Sequence, residues 1–461
     1  MKKLLCVSSA AILALLALHA QDIKGVISGG QMPHLAVPDF RGSGEAEALM
    51  ATFNQTLWSD LQGAGVVDMV AKTMYPTTIP QQPSDFRERP AAVETPRTRN
   101  RRELAAPRTG GGLWMTDWSS PPVSANYLAI GYTAVQNNVL VLYGWLLDLS
   151  RDTPANAQIL GNRYFGTVDQ AGAQKVAHEF AADILAKFGG SSLFGTHIYF
   201  VSDRTGHKEI WVMDPDGGNQ RQITHFNSIT INPTVSPDGS KIAFTSYARG
   251  RPAIFVFSVD PIRQLPFYNQ VASMNATPAF TPDGKQLLYS STASGWAQIY
   301  IAGLDGSNLR RISSSSAIEV EPKVNPKNGT DVAFVSGRSG PQQIYLMSID
   351  GANVERLTPG EGEASNPCWH PGGQILAYAW TRGYATGNFN IFIMDVATRH
   401  YTQLTQGAGR NENPSWAPDG QHLAFQSTRS GRPQIYRMLA DGTQVQSLTK
   451  LGSNWSPAWG K

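Results

Sequence analysis

The sequence predicts a mainly β protein: a six-bladed β-propeller over residues 195–461, preceded by a small α/β domain over residues 35–190. Three observations carry that expectation. A phrase of Gly, three variable residues, Ile and an aromatic recurs six times, as Gly206…Ile210-Trp211, Gly250…Ile254-Phe255, Gly295…Ile299-Tyr300, Gly340…Ile344-Tyr345, Gly387…Ile391-Phe392 and Gly431…Ile435-Tyr436. Its glycines stand 44, 45, 45, 47 and 44 residues apart, and a period in the forties made of short β segments marks a propeller with one blade per repeat. Pro-Asp-Gly turns such as Pro237-Asp238-Gly239 join two apolar runs, because Pro presets φ and Gly accepts a positive φ in a tight hairpin. Finally, the array starts and stops inside a blade. His197-Ile198-Tyr199-Phe200 reads as a second strand without a first, and Ser456-Pro457-Ala458-Trp459 as a first strand without a second. Joining them closes the ring and leaves no open sheet edge.

From the amino terminus, residues 1–20 combine Lys2-Lys3, an apolar run over 4–18 and a small residue at Ala20. This is the pattern of a secretory signal cut after Ala20. Cys6 lies too early in it to carry a lipid. With the signal gone, Cys368 is the single cysteine and no intrachain disulfide can form, so an exported chain relies on its core. Residues 21–34 are short, Gly-rich and without periodicity, as expected of a mobile arm. The α/β domain then opens with a strand at 35–37. A helix over 45–61 follows, placing Leu49, Phe53, Leu57 and Leu61 on one face, with Gly63 and Gly65 ending it. Next come a strand at 66–70 and a hairpin of 129–135 and 139–149 around Gln136-Asn137-Asn138. A last helix, from about 170 to 188, aligns Val176, Phe180, Ile184 and Leu185. Between these elements, the insertion at about 83–112 holds Arg97, Arg99, Arg101 and Arg102 among Pro and Ala, and reads as a disordered loop. In the propeller, the third strand of a blade follows the Gly phrase. A second turn, such as Asp305-Gly306 or Asp350-Gly351, leads to a short fourth strand.

Composition narrows function by exclusion. The chain has 461 residues, 16% charged, with a formal charge of +3 that falls to about +1 without Lys2 and Lys3. Such a balance offers no footing for nucleic acid. His178-Glu179 lacks the second His a zinc helix needs, since Ala182 stands one turn on, and reads as a structural histidine. No Gly-x-Ser-x-Gly elbow and no phosphate loop occur. Asp214-Pro215-Asp216-Gly217 reads as a turn rather than a calcium loop. No catalytic residue, cofactor or metal is therefore expected. One positional pattern remains. The residue before the first-strand proline is polar in all six units: Asn232, Thr277, Glu321, Asn366, Asn413 and Ser456. First strands line a propeller's axis, so these six are expected to ring one mouth of the channel. There they either cap strand ends beside a proline or form a hydrogen-bonding funnel for a partner's loop. Only Glu321 is acidic, too few carboxylates for a calcium cluster.

Several of these segments are similar to one known family. Asn413-Pro414-Ser415-Trp416-Ala417-Pro418-Asp419-Gly420, the closing Ser456-Pro457-Ala458-Trp459, the opening Pro33-His34-Leu35-Ala36-Val37-Pro38-Asp39-Phe40, the run 144–149 ending in Asp148-Leu149 and Ala177-His178 together resemble the TolB family, the propellers of the Tol–Pal envelope system. The resemblance covers nearly all of the mature chain. It implies a periplasmic, monomeric, non-enzymatic scaffold without membrane insertion. A peptidoglycan-associated lipoprotein (Pal) would bind at the channel mouth, and the amino-terminal arm (Gln21, Asp22, Ile23, Val26, Ile27) would engage an inner-membrane TolA. The implied roles are outer-membrane integrity, constriction in division and protein import. Three departures bear on partner specificity: the long arginine-rich insertion, the Pro326-Lys327-Asn328-Gly329 turn, and Ala182 in place of an acidic residue. A secreted WD40-like propeller of peptidase-associated or signalling type is the alternative.

Overall fold

A computed structural model describes residues 32–87 and 111–461. The expected signal at 1–20, the arm residues Gln21, Asp22, Ile23, Val26 and Ile27, and the central part of the arginine-rich insertion lie outside the described residues. The remainder forms two compact units that meet in sequence at Phe194 and Gly195. Among the described residues, no helix is long and apolar enough to cross a membrane.

The amino-terminal unit is one mixed sheet. β1 (His34–Ala36), β2 (Arg41–Ser43), α1 (Met50–Gly63), β3 (Asp68–Met69), α2 (Met115–Ser119), β4 (Tyr127–Gln136), β5 (Val139–Asp148), α3 (Pro154–Ala157), β6 (Gln158–Gly166) and α4 (Gln170–Lys187) follow in order. The strand order is β3-β1-β4-β5-β6, with β2 also on β4. Phe53, Leu57 and Leu61 of α1 and Val176, Phe180, Ile184 and Leu185 of α4 are buried in one core with Leu140, Leu142 and Leu146 of β5. The hairpin turn takes φ of 50° and 61° at Asn137 and Asn138, the mirror-image turn whose twist suits paired strands. Four expectations need correction. The segment 45–49 is a tighter 3-10 turn (Gly44–Leu49), and the α-helix begins only at Met50. The strand expected at 66–70 shrinks to two residues. β6 was not foreseen, because its centre reads Gly161-Asn162-Arg163 and it is a largely exposed edge strand. The insertion is ordered at both ends: Phe86 is buried with Trp118 and Val123, and Trp118 Nε1 donates to the Gly112 carbonyl at 2.9 Å.

The second unit is six four-stranded antiparallel sheets, five built from consecutive strands and one that joins Asn454–Gly460 to His197–Ser202, Glu209–Met213 and Arg221–Gln222. Numbering the consecutive blades one to five from Thr230, the first strands are Thr230–Val235, Asn275–Phe280, Glu319–Val324, Ala364–Trp369 and Asn411–Trp416, with Asn454–Gly460 in the closing blade. Each touches the next, so they form the inner wall of a ring. The recurrent phrase now has a physical reason. Its Gly takes φ between 77° and 102°, a conformation that costs other residues energy. Its Ile is at most 1% exposed in every blade. Its aromatic lies opposite the central aromatic of the second strand, as in Phe244–Phe255, Phe334–Tyr345 and Phe425–Tyr436, with ring centroids 5.9, 5.9 and 6.0 Å apart. Such cross-strand pairs are the unit of sheet stabilisation.

At one joint between blades this packing gains a pH dependence. His370 Nε2 donates to the Gly420 carbonyl of the next blade at 3.1 Å, and its Nδ1 accepts from Gly372 N–H at 2.9 Å, so the ring is held neutral. Burial holds its pKa below the ordinary 6.5, against the opposing pull of the Gly420 carbonyl and Asp419. A base with a depressed folded pKa binds fewer protons folded than unfolded. Stability is therefore full above the ordinary imidazole range and falls as pH drops through it. In blade three Asn325 fills the same position, donating to the Gly373 carbonyl at 2.9 Å. Urea melts should show His370→Asn losing less stability than the parent between about pH 7.5 and about pH 5.5. An equal loss in both would contradict the assignment.

Candidate functional site: the channel throat

The six pre-proline residues come together. Asn232, Thr277, Glu321, Asn366, Asn413 and Ser456, with their prolines and Lys323, line one cavity of about 70 Å³ on the channel axis, room for a few waters. The expectation that they cap strand ends is corrected, because each is the third residue of its strand and sits at a β-bulge. In blade one, Ile231 pairs with Thr245 and Thr234 with Ala243, so Asn232-Pro233 together oppose a single residue. The same shift recurs in all six first strands. A bulge tolerates Pro, which cannot donate to the ladder.

Each bulge drives the residue before Pro into the left-handed region, with φ of 53°, 53°, 56°, 54°, 51° and 48° in chain order. Asn accepts this readily, whereas Thr277 and Glu321 do so at a cost of order 1–3 kcal/mol each. In five of the six, the conformation turns the backbone N–H toward the preceding blade, where a side chain receives it. Thr277 N donates to Thr245 Oγ1 at 3.0 Å, Glu321 N to Thr277 Oγ1 at 3.3 Å, Asn366 N to Glu321 Oε2 at 2.7 Å, Asn413 N to Asn366 Oδ1 at 3.3 Å and Ser456 N to Gln426 Oε1 at 3.2 Å. Asn413 Nδ2 also donates to Gln426 Oε1 at 3.0 Å. The ring is thus a hydrogen-bonded girdle between blades as well as a channel lining.

Its electrostatics are local. Burial pushes the Glu321 carboxyl above the ordinary carboxylate range, and Glu412 adds to that push. Hydrogen bonds from Asn366 and the charge of Lys323 act the other way. Two functional groups escaped the sequence reading: Lys323, which lines the same cavity, and Glu412, whose carboxylate takes Arg410 at 2.6 Å and Gln426 Nε2 at 3.0 Å. Neither had a period-two signal, because Lys323 follows the bulge of its strand and Glu412 precedes the bulge of its own, and the bulge interrupts the alternation. Burial pushes the Cys368 thiol up, which keeps it protonated and a poor nucleophile. The throat can therefore hydrogen-bond a ligand through amides, one carboxylate and one ammonium, and it holds no activated nucleophile beside a base.

His178, Asp214 and Asp216, also singled out in the sequence, serve the scaffold. His178 Nδ1 lies 2.5 Å from Asp60 Oδ2, tying α4 to α1, and its ring stacks on Phe194 with centroids 4.5 Å apart. Asp214 and Asp216 accept hydrogen bonds within their own turn, from Asn219 Nδ2 at 2.6 Å and Gly218 N at 2.7 Å. Among the described residues, no group of three or more His, Cys, Asp or Glu gathers as a metal site.

Comparison with known proteins gives concordant results. The family model "TolB beta propeller domain" matches residues 187–383 and 359–461. A "Protein TolB homolog" of Chlorobium chlorochromatii is 33% identical over 135 residues, 29% of each chain. A "Tol-Pal system protein TolB" of Roseobacter denitrificans is 28% identical over 282 residues, 58% of this chain and 56% of that one. The chain thus spans from under a third to just over half the length of these curated relatives. The crystal structure of TolB from Acinetobacter baumannii shares the fold at a TM-score of 0.74 and 20% identity, covering 93% of this chain and 96% of that one.

Proposed function

Because the chain belongs to the TolB β-propeller family, we propose that it is a non-enzymatic scaffold of a periplasmic Tol–Pal system. In this reading, the throat docks a loop of a Pal-like, peptidoglycan-associated lipoprotein, while residues 21–34 engage a TolA-like inner-membrane protein. The monomer thereby links the two membranes' components and serves envelope integrity, constriction in division and protein import. The observation that carries this reading is the throat itself: six polar side chains at left-handed backbone positions around one axis, strained at Thr277 and Glu321, with a single carboxylate among them. Strain of this kind persists where the surrounding structure over-determines it, and it clusters at binding sites. The cavity is too small for a chain to thread, so a partner reaches the ring from the mouth.

Glu321 is the member to test. Its carboxylate is placed to meet a basic or hydrogen-bond-donating group of the partner's loop, and truncating one side of a desolvated charge pair costs about 2–5 kcal/mol. Glu321→Gln keeps an acceptor for Asn366 and removes the charge. Calorimetric titration with the soluble domain of the cognate lipoprotein should show at least about tenfold weaker binding, which is about 1.4 kcal/mol, at nearly unchanged melting temperature. Glu321→Ala should weaken binding as well and also lower the melting temperature, since Asn366 loses its acceptor. The control, Arg99→Ala with Arg101→Ala, should leave affinity alone. Unchanged affinity in Glu321→Gln, or a loss confined to the arginine control, would place the site elsewhere.

A further inference from the structure

Five blades share an arginine that the remaining blade lacks. In the closing blade the Arg204 guanidinium lies 5.6 Å from the Phe200 ring and 4.5 Å from Trp211, and donates to Asn454 Oδ1 at 3.1 Å. In blade five Arg429 lies over Phe425 and Tyr436 at 5.3 and 4.7 Å and donates to Asn411 Oδ1 at 3.0 Å. In blade three Arg338 lies over Phe334 and Tyr345 and pairs with Glu319. Arg249 and Arg382 cover Phe255 and Trp380 in blades one and four. In the three fullest cases one design repeats. A guanidinium stacks on the cross-strand aromatic pair while its fork reaches the first residue of the first strand, a combination suited to Arg.

Blade two keeps the receiving parts and lacks the donor. Its loop reads Ser291-Thr292-Ala293-Ser294-Gly295, with Ala293 where Arg204, Arg338 and Arg429 stand two residues before the phrase Gly. The aromatic pair is intact, Tyr289 against Tyr300 with centroids 6.3 Å apart. The first residue of the first strand is Asn275, matching Asn411 and Asn454. Three buried polar atoms meet no partner there among the described residues: Asn275 Oδ1, Tyr289 Oη and Gln270 Nε2. Asn275 is 2% exposed and Tyr289 0%. Unpartnered polar atoms of this kind are rare, because burial strips their water without replacing it. At the surface beside them stand Val271 and Trp296, with Ile318 next to Trp296 through the Glu319 N–H to Ala297 carbonyl bond. All three are large, apolar and more than half exposed.

We propose that blade two is a receptor for an arginine side chain presented by a protein partner. The guanidinium takes the position that Arg204 and Arg429 fill in their own blades, stacked on Tyr289 and Tyr300 and donating to Asn275 Oδ1. Val271, Trp296 and Ile318 receive the polypeptide that carries it. Asn275 Oδ1 is out of contact with water, so entry requires the 292–296 loop to yield. The proposal stands apart from the throat and does not depend on the family role.

The test uses the whole chain and the peptide acetyl-Ala-Arg-Ala-amide, with its citrulline counterpart as the neutral isostere. The arginine peptide should raise the melting temperature and produce a saturable change in tryptophan fluorescence that disappears in Trp296→Phe; the citrulline peptide should do neither. Ala293→Arg supplies the missing group within the chain, and should raise the melting temperature and abolish the peptide's effect. Ser294→Arg, which copies the spacing of Arg249 in blade one, is a second route to the same outcome should Ala293→Arg fold poorly. Equal effects of the two peptides, or an arginine effect that persists in a folded variant with its own arginine at 293 or 294, would overturn the proposal.

Discussion

Removing residues 454–461 should abolish cooperative folding of the propeller, a loss far out of proportion to eight residues. The segment is the inner strand of the closing blade, paired with His197–Ser202 at the far end of the array. Its Trp459 is 7% exposed, its Nε1 donates to Thr196 Oγ1 at 3.0 Å, and its N–H donates to Ser415 Oγ of blade five at 2.9 Å. Truncating a buried Trp to Ala alone costs about 3–5 kcal/mol, against a total stability of roughly 5–15 kcal/mol for a domain. Trp455 adds less, because it is only half buried, with Lys208 Nζ 4.2 Å from its ring. The deletion also strands Arg204, which loses Asn454, and leaves His197–Ser202 as a bare edge strand with its first-strand partner gone. Calorimetry with near-ultraviolet circular dichroism checks this. A truncated chain that melts cooperatively within a few degrees of the parent would contradict ring closure as the source of stability.

Arg338→Ala should be the most damaging single substitution among the blade arginines, by about 3–5 kcal/mol. The Glu319 side chain is fully buried, and Arg338 Nη2 and Ser336 Oγ are what its Oε1 receives. The other oxygen, Oε2, has no partner among the described residues. Taking the guanidinium away leaves a buried carboxylate uncompensated, which is where ion-pair substitutions hurt most. Arg429→Ala removes an equivalent stack but leaves the neutral Asn411, so it should cost distinctly less. Adding Glu319→Gln to Arg338→Ala should recover a large part of the loss. Urea midpoints at constant m-value read all three. Equal losses for Arg338→Ala and Arg429→Ala would mean that stacking, not charge, is what the arginines contribute.

Much of the propeller was legible because its signals repeat. One Gly with a forced positive φ and one Ile-aromatic step, seen six times, reveal strand, turn and register together. The join of His197–Ser202 with Asn454–Gly460 followed from counting strands at the two ends. The six pre-proline positions were legible as a set for the same reason. Their bulge was not, since a Pro inside a strand signals a bulge or an edge without choosing between them. The girdle they form depends on which neighbour each N–H meets, and that lives in tertiary geometry. In the amino-terminal unit nothing repeats. β6 escaped because an edge strand with one face in solvent needs little apolar alternation, and its anchors, Tyr164 Oη and Asn162 Nδ2 on Asp183, come from 19 and 21 residues away. The empty arginine position of blade two could have been found in sequence by aligning the loops before each Gly. Its meaning required seeing Asn275 Oδ1 and Tyr289 Oη left without partners among the described residues.

The docking of a lipoprotein loop at the throat is tested most directly by a crystal structure of the chain bound to the soluble domain of its cognate Pal-like lipoprotein. The account predicts a partner segment at the channel mouth, with a donor within hydrogen-bonding distance of Glu321 and at least one amide of Asn366 or Asn413 engaged. A partner seated on the outer rim of the blades, with the ring and its bonds between blades untouched, would contradict it.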